Sequence, residues 1–318
     1  MKPSLEVLEP GLLTTVQDGG RWGYQQYGMV VSGPMDPFAL QAANVLVGND
    51  RNEAGLEITM GRAAFGFHRD CLIAIAGADL GATVDGEPVP MWCGFTVKKG
   101  QVLRFQGPVC GVRAYLAIAG GIDVPVVMGS KSTYLRGRIG GLAGRALKKG
   151  DALVVGTAPG NLSKEGKICL SRRHLPRYAR NPTVRVVLGP DHESFTQEGV
   201  HTFLHHRYTV TAQADRMGYR LQGPRITHRH GADILSDATV MGTVQVPADG
   251  QPIILMADRQ TTGGYARIAT VISVDLPLVA QTLAGGTIAF HAVSVEEAQR
   301  LAVEREQLLR LLMAGVRS

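Results

Sequence analysis

"TVMGTVQVPADGQPIILMADRQTTGGYARIATVISV" spans residues 239–274. Three short β-branched runs, 239–247, 251–257 and 269–274, are separated by the Asp249-Gly250 turn signal and by "DRQTTGGY" (258–265). Runs of this length bounded by Gly, Pro and Asp read as strands of an all-β barrel or sandwich. The second separator is unusual: it carries a charged pair, two hydroxyls, two glycines and a tyrosine, more hydrogen-bonding capacity than a turn needs.

Working outward, the same pattern recurs. Strand candidates lie at 71–77, 94–105, 112–121, 152–156, 183–189 and 286–293, with turn signals at Asp85-Gly86, Lys99-Gly100 and Gly285-Gly286. Helices are few. Residues 36–48 open with Asp36 as N-cap and Pro37 at the first helical position. A second helix is expected at 194–206. The third, at 294–315, starts with a Ser294/Glu297 capping box and carries Ala298, Leu301, Leu308, Leu309 and Leu312 as its apolar stripe. The fold class is therefore mainly β with a few helices and a C-terminal helix.

The 318 residues are enough for two domains, and 45% apolar residues supply a core. The Pro-containing basic segment 161–182 reads as a linker between 1–160 and 183–318. A faint echo supports two similar halves: "DGEPV" (85–89) matches "DGQPI" (249–253), and "KKGQVLRF" (98–105) matches "LAGGTIAF" (283–290).

The net charge of +6 comes from scattered arginines without interleaved aromatics, so nucleic acid is not expected as a partner. No stretch of about 18 apolar residues predicts a membrane span, and no apolar leader core follows the N-terminus. Cys71, Cys93, Cys110 and Cys169 form no CxxC and are expected as reduced thiols in a cytoplasmic protein.

Several motifs are incomplete. "GSKST" (129–133) resembles half a phosphate-binding loop, but Pro125 and Ser130 stand where glycines are required. His201 and His205 lack an acidic third ligand, so no metal is expected. No Met-Lys-Met context predicts covalent biotin.

Five polar, Gly-rich clusters remain, around 14–28, 32–36, 129–151, 214–224 and 242–265. "PGLLTTVQDGGRWGYQ", "SGPMD", "AANVLVGN", "LEIT", "RAYLAIAGGIDVPVVMGSKSTYLRG", "GRALKKGD", "DRMGYRL", "GTVQVPADGQPIILMADRQTTGGY" and "DLPLVAQ" occur in this order. Together they resemble the KipA-like, or allophanate-hydrolase-subunit-2-like, family, also called the biotin-dependent carboxyltransferase family. The resemblance covers roughly residues 5–295. It implies two cyclophilin-like β-barrel subdomains.

It also implies a function. A stand-alone chain without a biotin carrier favours the C-type subunit of an ATP-dependent 5-oxoprolinase, which opens the lactam of 5-oxo-L-proline to L-glutamate. The implied partners are the other two 5-oxoprolinase components, a KipI-like B-type one and an A-type one, with the ATP site on or shared with a partner. Two alternatives stand beside it: the KipA-like half of a biotin-dependent carboxyltransferase acting on urea or a related amide, and a non-enzymatic protein that sequesters a KipI-like kinase inhibitor.

Lactam opening needs guanidinium groups for the substrate carboxylate, donors for a developing oxyanion and a group that handles protons. The residue types assign Asp258, Thr261 and Thr262 to catalysis. Arg136, Arg216, Arg220, Gln245, Gly263, Gly264 and Tyr265 are assigned to substrate. Gln17, Asp18, Asp36, Asn44 and Asp215 are expected to brace the structure or the site. "DRQTTGGY" itself is expected as a site loop inserted between two strands of the second barrel.

Overall fold

The Asp85-Gly86 pair turns the chain with both φ angles positive, 52° and 93°, joining strands Ala82–Val84 and Glu87–Pro88. This is the backbone that a two-residue hairpin with matching strand twist demands, and Asp-Gly supplies it. Its sequence echo at Asp249-Gly250 is a different turn, in which Gly250 N–H donates to Pro247 O at 2.9 Å.

The computed structural model describes residues 3–158 and 168–317. The chain divides into two units. One comprises Met1–Trp22, Ser32–Arg177 and Glu306–Ser318; the other comprises Gly23–Val31 and Tyr178–Arg305. The units are therefore not contiguous in sequence. The C-terminal helix, Val295–Arg317, does not belong wholly to the second half: from Glu306 on it groups with the first unit, where Glu306 pairs with Arg51 at 2.6 Å and Leu309 is buried. Part of the segment expected as a linker lies outside the described residues.

The first unit is two sheets over one core. The seven-stranded sheet runs in the order Ile122–Asp123, Ala152–Val155, Leu5–Pro10, Ala63–Phe67, Val102–Phe105, Ala82–Val84, Glu87–Pro88. The five-stranded sheet runs Leu13–Gln17, Gly55–Thr59, Cys110–Ile118, Cys71–Asp79, Gly94–Val97. Leu5, Phe65 and Leu103 of the first meet Leu56, Ile73 and Leu116 of the second. Helix Pro37–Leu46 packs on strands Cys71–Asp79 and Cys110–Ile118, so both faces of these strands are covered. That is why "CLIAIAG" and "AYLAIAG" read as continuous apolar runs instead of alternating ones.

The second unit closes into a barrel: Thr183–Leu188, Arg267–Val271, Thr243–Gln245, Ile253–Leu255, Gly218–Gln222, Arg207–Val210, Thr287–Ala292. The last strand returns parallel to the first, with Val184 opposite Phe290. Helix Gln197–His205 is capped by Thr196, whose Oγ1 accepts from Gly199 N–H, and stacks Phe203 on Phe290 with ring centroids 4.3 Å apart. Among the described residues, no helix is long and apolar enough to cross a membrane.

The expectation of four reduced thiols is corrected. Cys93 and Cys169 form a disulfide. The backbone brings them together: Gly94 N–H donates to Ile168 O and Leu170 N–H to Trp92 O, both at 2.9 Å, which sets the two cysteines opposite each other in an antiparallel bridge. Cys71 and Cys110 stand outside the disulfide, the first buried and the second exposed.

Candidate functional site

Strand register places the first charged pair. Gly218 lies opposite Leu255, so the residues just before one strand run beside those just after the other. Asp258 N–H donates to Arg216 O at 2.8 Å, and Met256 N–H to Met217 O at 2.9 Å. The side chains then meet as a fork: Arg216 Nε donates to Asp258 Oδ2 at 3.0 Å and Nη2 to Oδ1 at 3.1 Å. Both side chains are buried, at 7% and 6% exposure. Asp215 shapes the entry, since its Oδ1 accepts from Met217 and Gly218 N–H. Asp258 and Arg216, assigned separately to proton transfer and substrate binding, are thus each other's partner.

Arg259 is a second guanidinium buried in the same turn, at 7% exposure. Its Nη1 donates to Met256 O at 3.3 Å, and its Nε meets no acceptor among the described residues. Burial pulls its pKa down to about 10, although the Asp258 charge acts the other way. Sequence reasoning passed over it. The available signal was a charged pair set directly behind the apolar run "IILMA".

"DRQTTGGY" is not a loop throughout. Thr262–Tyr265 is a strand, paired antiparallel with Asp233–Ala238 in a two-stranded sheet, with Thr262 opposite Ala238 and Tyr265 opposite Asp233. A partner strand decided this against the low β-propensity of two glycines. Gly263 leaves room for its neighbours: a Cβ there would run into the Gln245 amide, which would have to shift, and would lie 3.1 Å from Thr239 Cγ2. Gln245, buried, donates to Tyr265 O at 3.2 Å, and Thr239 donates through Oγ1 to Gln260 O at 2.6 Å. Thr262 and Tyr265 are exposed; Thr261 and Gly264 are half-buried. Arg267 ties the ribbon to the barrel by pairing with Asp191 at 2.6 Å and Asp237 at 2.8 Å. The hydrogen bond that Arg267 donates to Asp191, the largest influence, raises its pKa.

Asp258, Arg216 and Thr261 to Tyr265 belong to the second unit, on the turn and ribbon just described, and Gln245 ends the barrel strand Thr243–Gln245 beside the ribbon. Arg220 goes elsewhere. It lies opposite Ile253 on the outer face of the barrel and lines an open cavity of about 460 Å³ with Gln222, Asp249, Gln251 and Ile253. Arg136 is exposed in the first unit.

The residues of the first unit that were expected to brace it form hydrogen bonds within that unit. Gln17 Nε2 donates to Thr15 Oγ1 and Thr133 O. Asp36 caps its helix by accepting from Ala39 N–H at 3.0 Å. Asn44 donates to Glu53 O and accepts from Asn49. Asp18 sits inside the phosphate-loop lookalike: it accepts from Ser130 Oγ, Ser132 Oγ and Lys131 N–H, each at 2.6 Å, and from Gly20 N–H at 2.9 Å. The cradle that "GSKST" forms is filled by the chain's own carboxylate. Glu57 and Tyr115, also unassigned from sequence, form a buried pair: Tyr115 donates to Glu57 Oε2 at 2.7 Å and accepts from Asp36 N–H at 2.8 Å. Burial first, then the Glu57 charge, raises the phenol well above its usual range.

The family model described as carboxyltransferase domain, subdomain A and B, matches residues 27–292, and the chain belongs to that family. It is 41% identical to the C-type subunit of 5-oxoprolinase from Escherichia coli (strain K12) over 310 residues, which is 97% of each chain. It is 32% identical to urea amidolyase of Saccharomyces cerevisiae over 97% of its own length but 18% of that protein. Among solved structures, Kluyveromyces lactis urea carboxylase superposes with a TM-score of 0.91 at 31% identity, covering 98% of this chain and 29% of that one.

Proposed function

We propose that the chain is the C-type subunit of an ATP-dependent 5-oxoprolinase and works with partners of the A and B types. The observation that carries this reading is end-to-end similarity: 41% identity over 97% of both chains to a protein named for that role. Similarity to the urea amidolyases is lower and spans less than a fifth of their length, which makes carboxyl transfer to a urea-type amide the second reading.

The proposed chemistry transfers the γ-phosphoryl group of ATP to the lactam oxygen, so that water adds to an activated carbon. The C–N bond then breaks and the nitrogen takes a proton, leaving an acyl phosphate at the γ-carbon; a second water displaces phosphate from that carbon, giving glutamate, ADP and phosphate. In this chain the hydroxyls of Thr261 and Thr262 and the amide of Gln245 are our candidates for contacts to the reacting group. Asp258, held by Arg216, is our candidate for positioning the turn that leads into Thr261 and Thr262. ATP is proposed on a partner or a shared surface, because the phosphate-like cradle of the first unit already holds Asp18.

The test is reconstitution. The chain mixed with its A-type and B-type partners is expected to release glutamate from 5-oxoproline only with ATP, and the lone chain is expected to be silent. Activity that instead requires a biotin carboxylase and a biotin carrier, with urea as acceptor, selects the second reading. The proposal also places the complex in the cytoplasm, where ATP is. Thiol labelling of cells before lysis then reads whether Cys93 and Cys169 are paired there.

A further inference from the structure

We infer that Arg259 is the anion anchor of the second unit, receiving an oxyanion of a ligand on the guanidinium edge that carries Nε. The inference rests on the geometry of the turn, and on the 5-oxoprolinase reading only for which oxyanion is expected.

A buried cation needs a counter-charge or a full set of acceptors. Three other arginines of the chain have carboxylate partners. Arg145 forks onto Asp151, Arg185 onto Asp275, and Arg267 takes both Asp191 and Asp237. Arg259 stands beside a carboxylate that it shares with Arg216, since both oxygens of Asp258 accept from the Arg216 guanidinium. What remains for it is one carbonyl at 3.3 Å, and Nε is buried without an acceptor among the described residues. The depressed pKa expresses the same shortage: desolvation outweighs the attraction of Asp258. A planar guanidinium with an unfilled edge fits the two oxygens of a carboxylate or of a phosphate. An orphaned group of this kind in a native structure calls for an explanation, and an arriving ligand supplies both the missing acceptor and the missing charge. The two sources of such an oxyanion are the carboxylate of a small acid such as 5-oxoproline and a phosphate.

Thermal shift of the full chain separates them. The probes are 5-oxoproline, 2-pyrrolidinone (the same lactam without the carboxylate) and inorganic phosphate, on wild type, Arg259→Met and Arg259→Lys. At least one oxyanion is expected to raise the wild-type Tm. If the carboxylate is the source, 5-oxoproline does so and 2-pyrrolidinone does not; if phosphate is the source, phosphate does so. Arg259→Met is expected to weaken that binding roughly tenfold or more, and Arg259→Lys to fall between. Ligand-free Arg259→Met is expected to melt no lower than wild type, because the substitution removes an uncompensated charge. The inference is overturned if Arg259→Met fails to fold or melts lower without ligand, if it keeps wild-type oxyanion affinity, or if no oxyanion stabilises the wild type. The reconstituted complex keeps the two readings apart. A wild-type complex inert toward 5-oxoproline, with an oxyanion shift that Arg259→Met abolishes, discards the 5-oxoprolinase reading and leaves Arg259 standing. An active complex whose KM for 5-oxoproline is unchanged by Arg259→Met, with an unchanged shift in the chain alone, does the reverse.

Discussion

The two units bury carboxylates by opposite means. In the first, Asp18 accepts from neutral donors, two hydroxyls and two backbone N–H groups. In the second, Asp258 is held by the fork of Arg216, and a further guanidinium, Arg259, is buried beside it with a donor unmet. A carboxylate solvated by dipoles is a finished piece of structure. A buried guanidinium with an unmet donor is the kind of feature that asks for a further acceptor, which is the role we propose for a ligand at Arg259.

The largest expected effect breaks the second cluster. Asp258→Ala leaves two guanidinium groups together in a buried turn and is expected to cost about 3–5 kcal/mol, read as a lower urea midpoint for the transition of the second unit. Adding Arg259→Met to that variant is expected to restore part of the loss. No recovery would mean that Arg259 has its charge balanced by something other than Asp258. Next is Asp18→Ala in the first unit, expected to cost about 3 kcal/mol because two hydroxyls and two N–H groups lose their acceptor; Asp18→Asn, which keeps an acceptor, should lose less. A loss from Asp18→Ala that matches single-bond variants such as Ser130→Ala would show that water replaces the carboxylate.

Gly263→Ala is expected to cost about 1–3 kcal/mol through its collision with the Gln245 amide. Gln245→Ala on the same chain should relieve it, and a strictly additive double mutant would separate the two residues. The smallest effect is a control on an ordinary ion pair. The hydrogen bond from Arg145, the largest cause, together with the Lys148 N–H, holds the Asp151 carboxyl below its usual range. A depressed carboxyl contributes stability above its unfolded pKa and loses it as pH falls through the folded value. Wild type is therefore expected to exceed Asp151→Asn slightly in stability at neutral pH, with the difference closing in acid below about pH 4. A difference that persists unchanged at low pH would rule out the charge as its source.

Much of this comparison was legible in the sequence, but unevenly. Asp36 followed by Pro37 announced a capped helix, and Asp85-Gly86 announced its hairpin, because both signals are local backbone chemistry. The strands at 71–79 and 110–118 followed from their apolar runs. Thr262–Tyr265 could not be read as a strand, since its pairing with Asp233–Ala238 is a tertiary event and its residues are poor strand formers. The same limit hid the site. "DRQTTGGY" pointed to the right stretch, but nothing local says that Asp258 is held by a residue 42 positions earlier and that Arg259 shares it. Arg220 shared a motif with Arg216, yet the alternation of a strand sends it to the outer face.

The bond between Cys93 and Cys169 spans 76 residues of sequence. A single proteolytic nick anywhere between them leaves two polypeptides that remain covalently joined. Such a nicked protein would run as one band on a non-reducing gel and as two after thiol treatment, so ordinary purification in reducing buffer would disclose a cut that an oxidised preparation conceals.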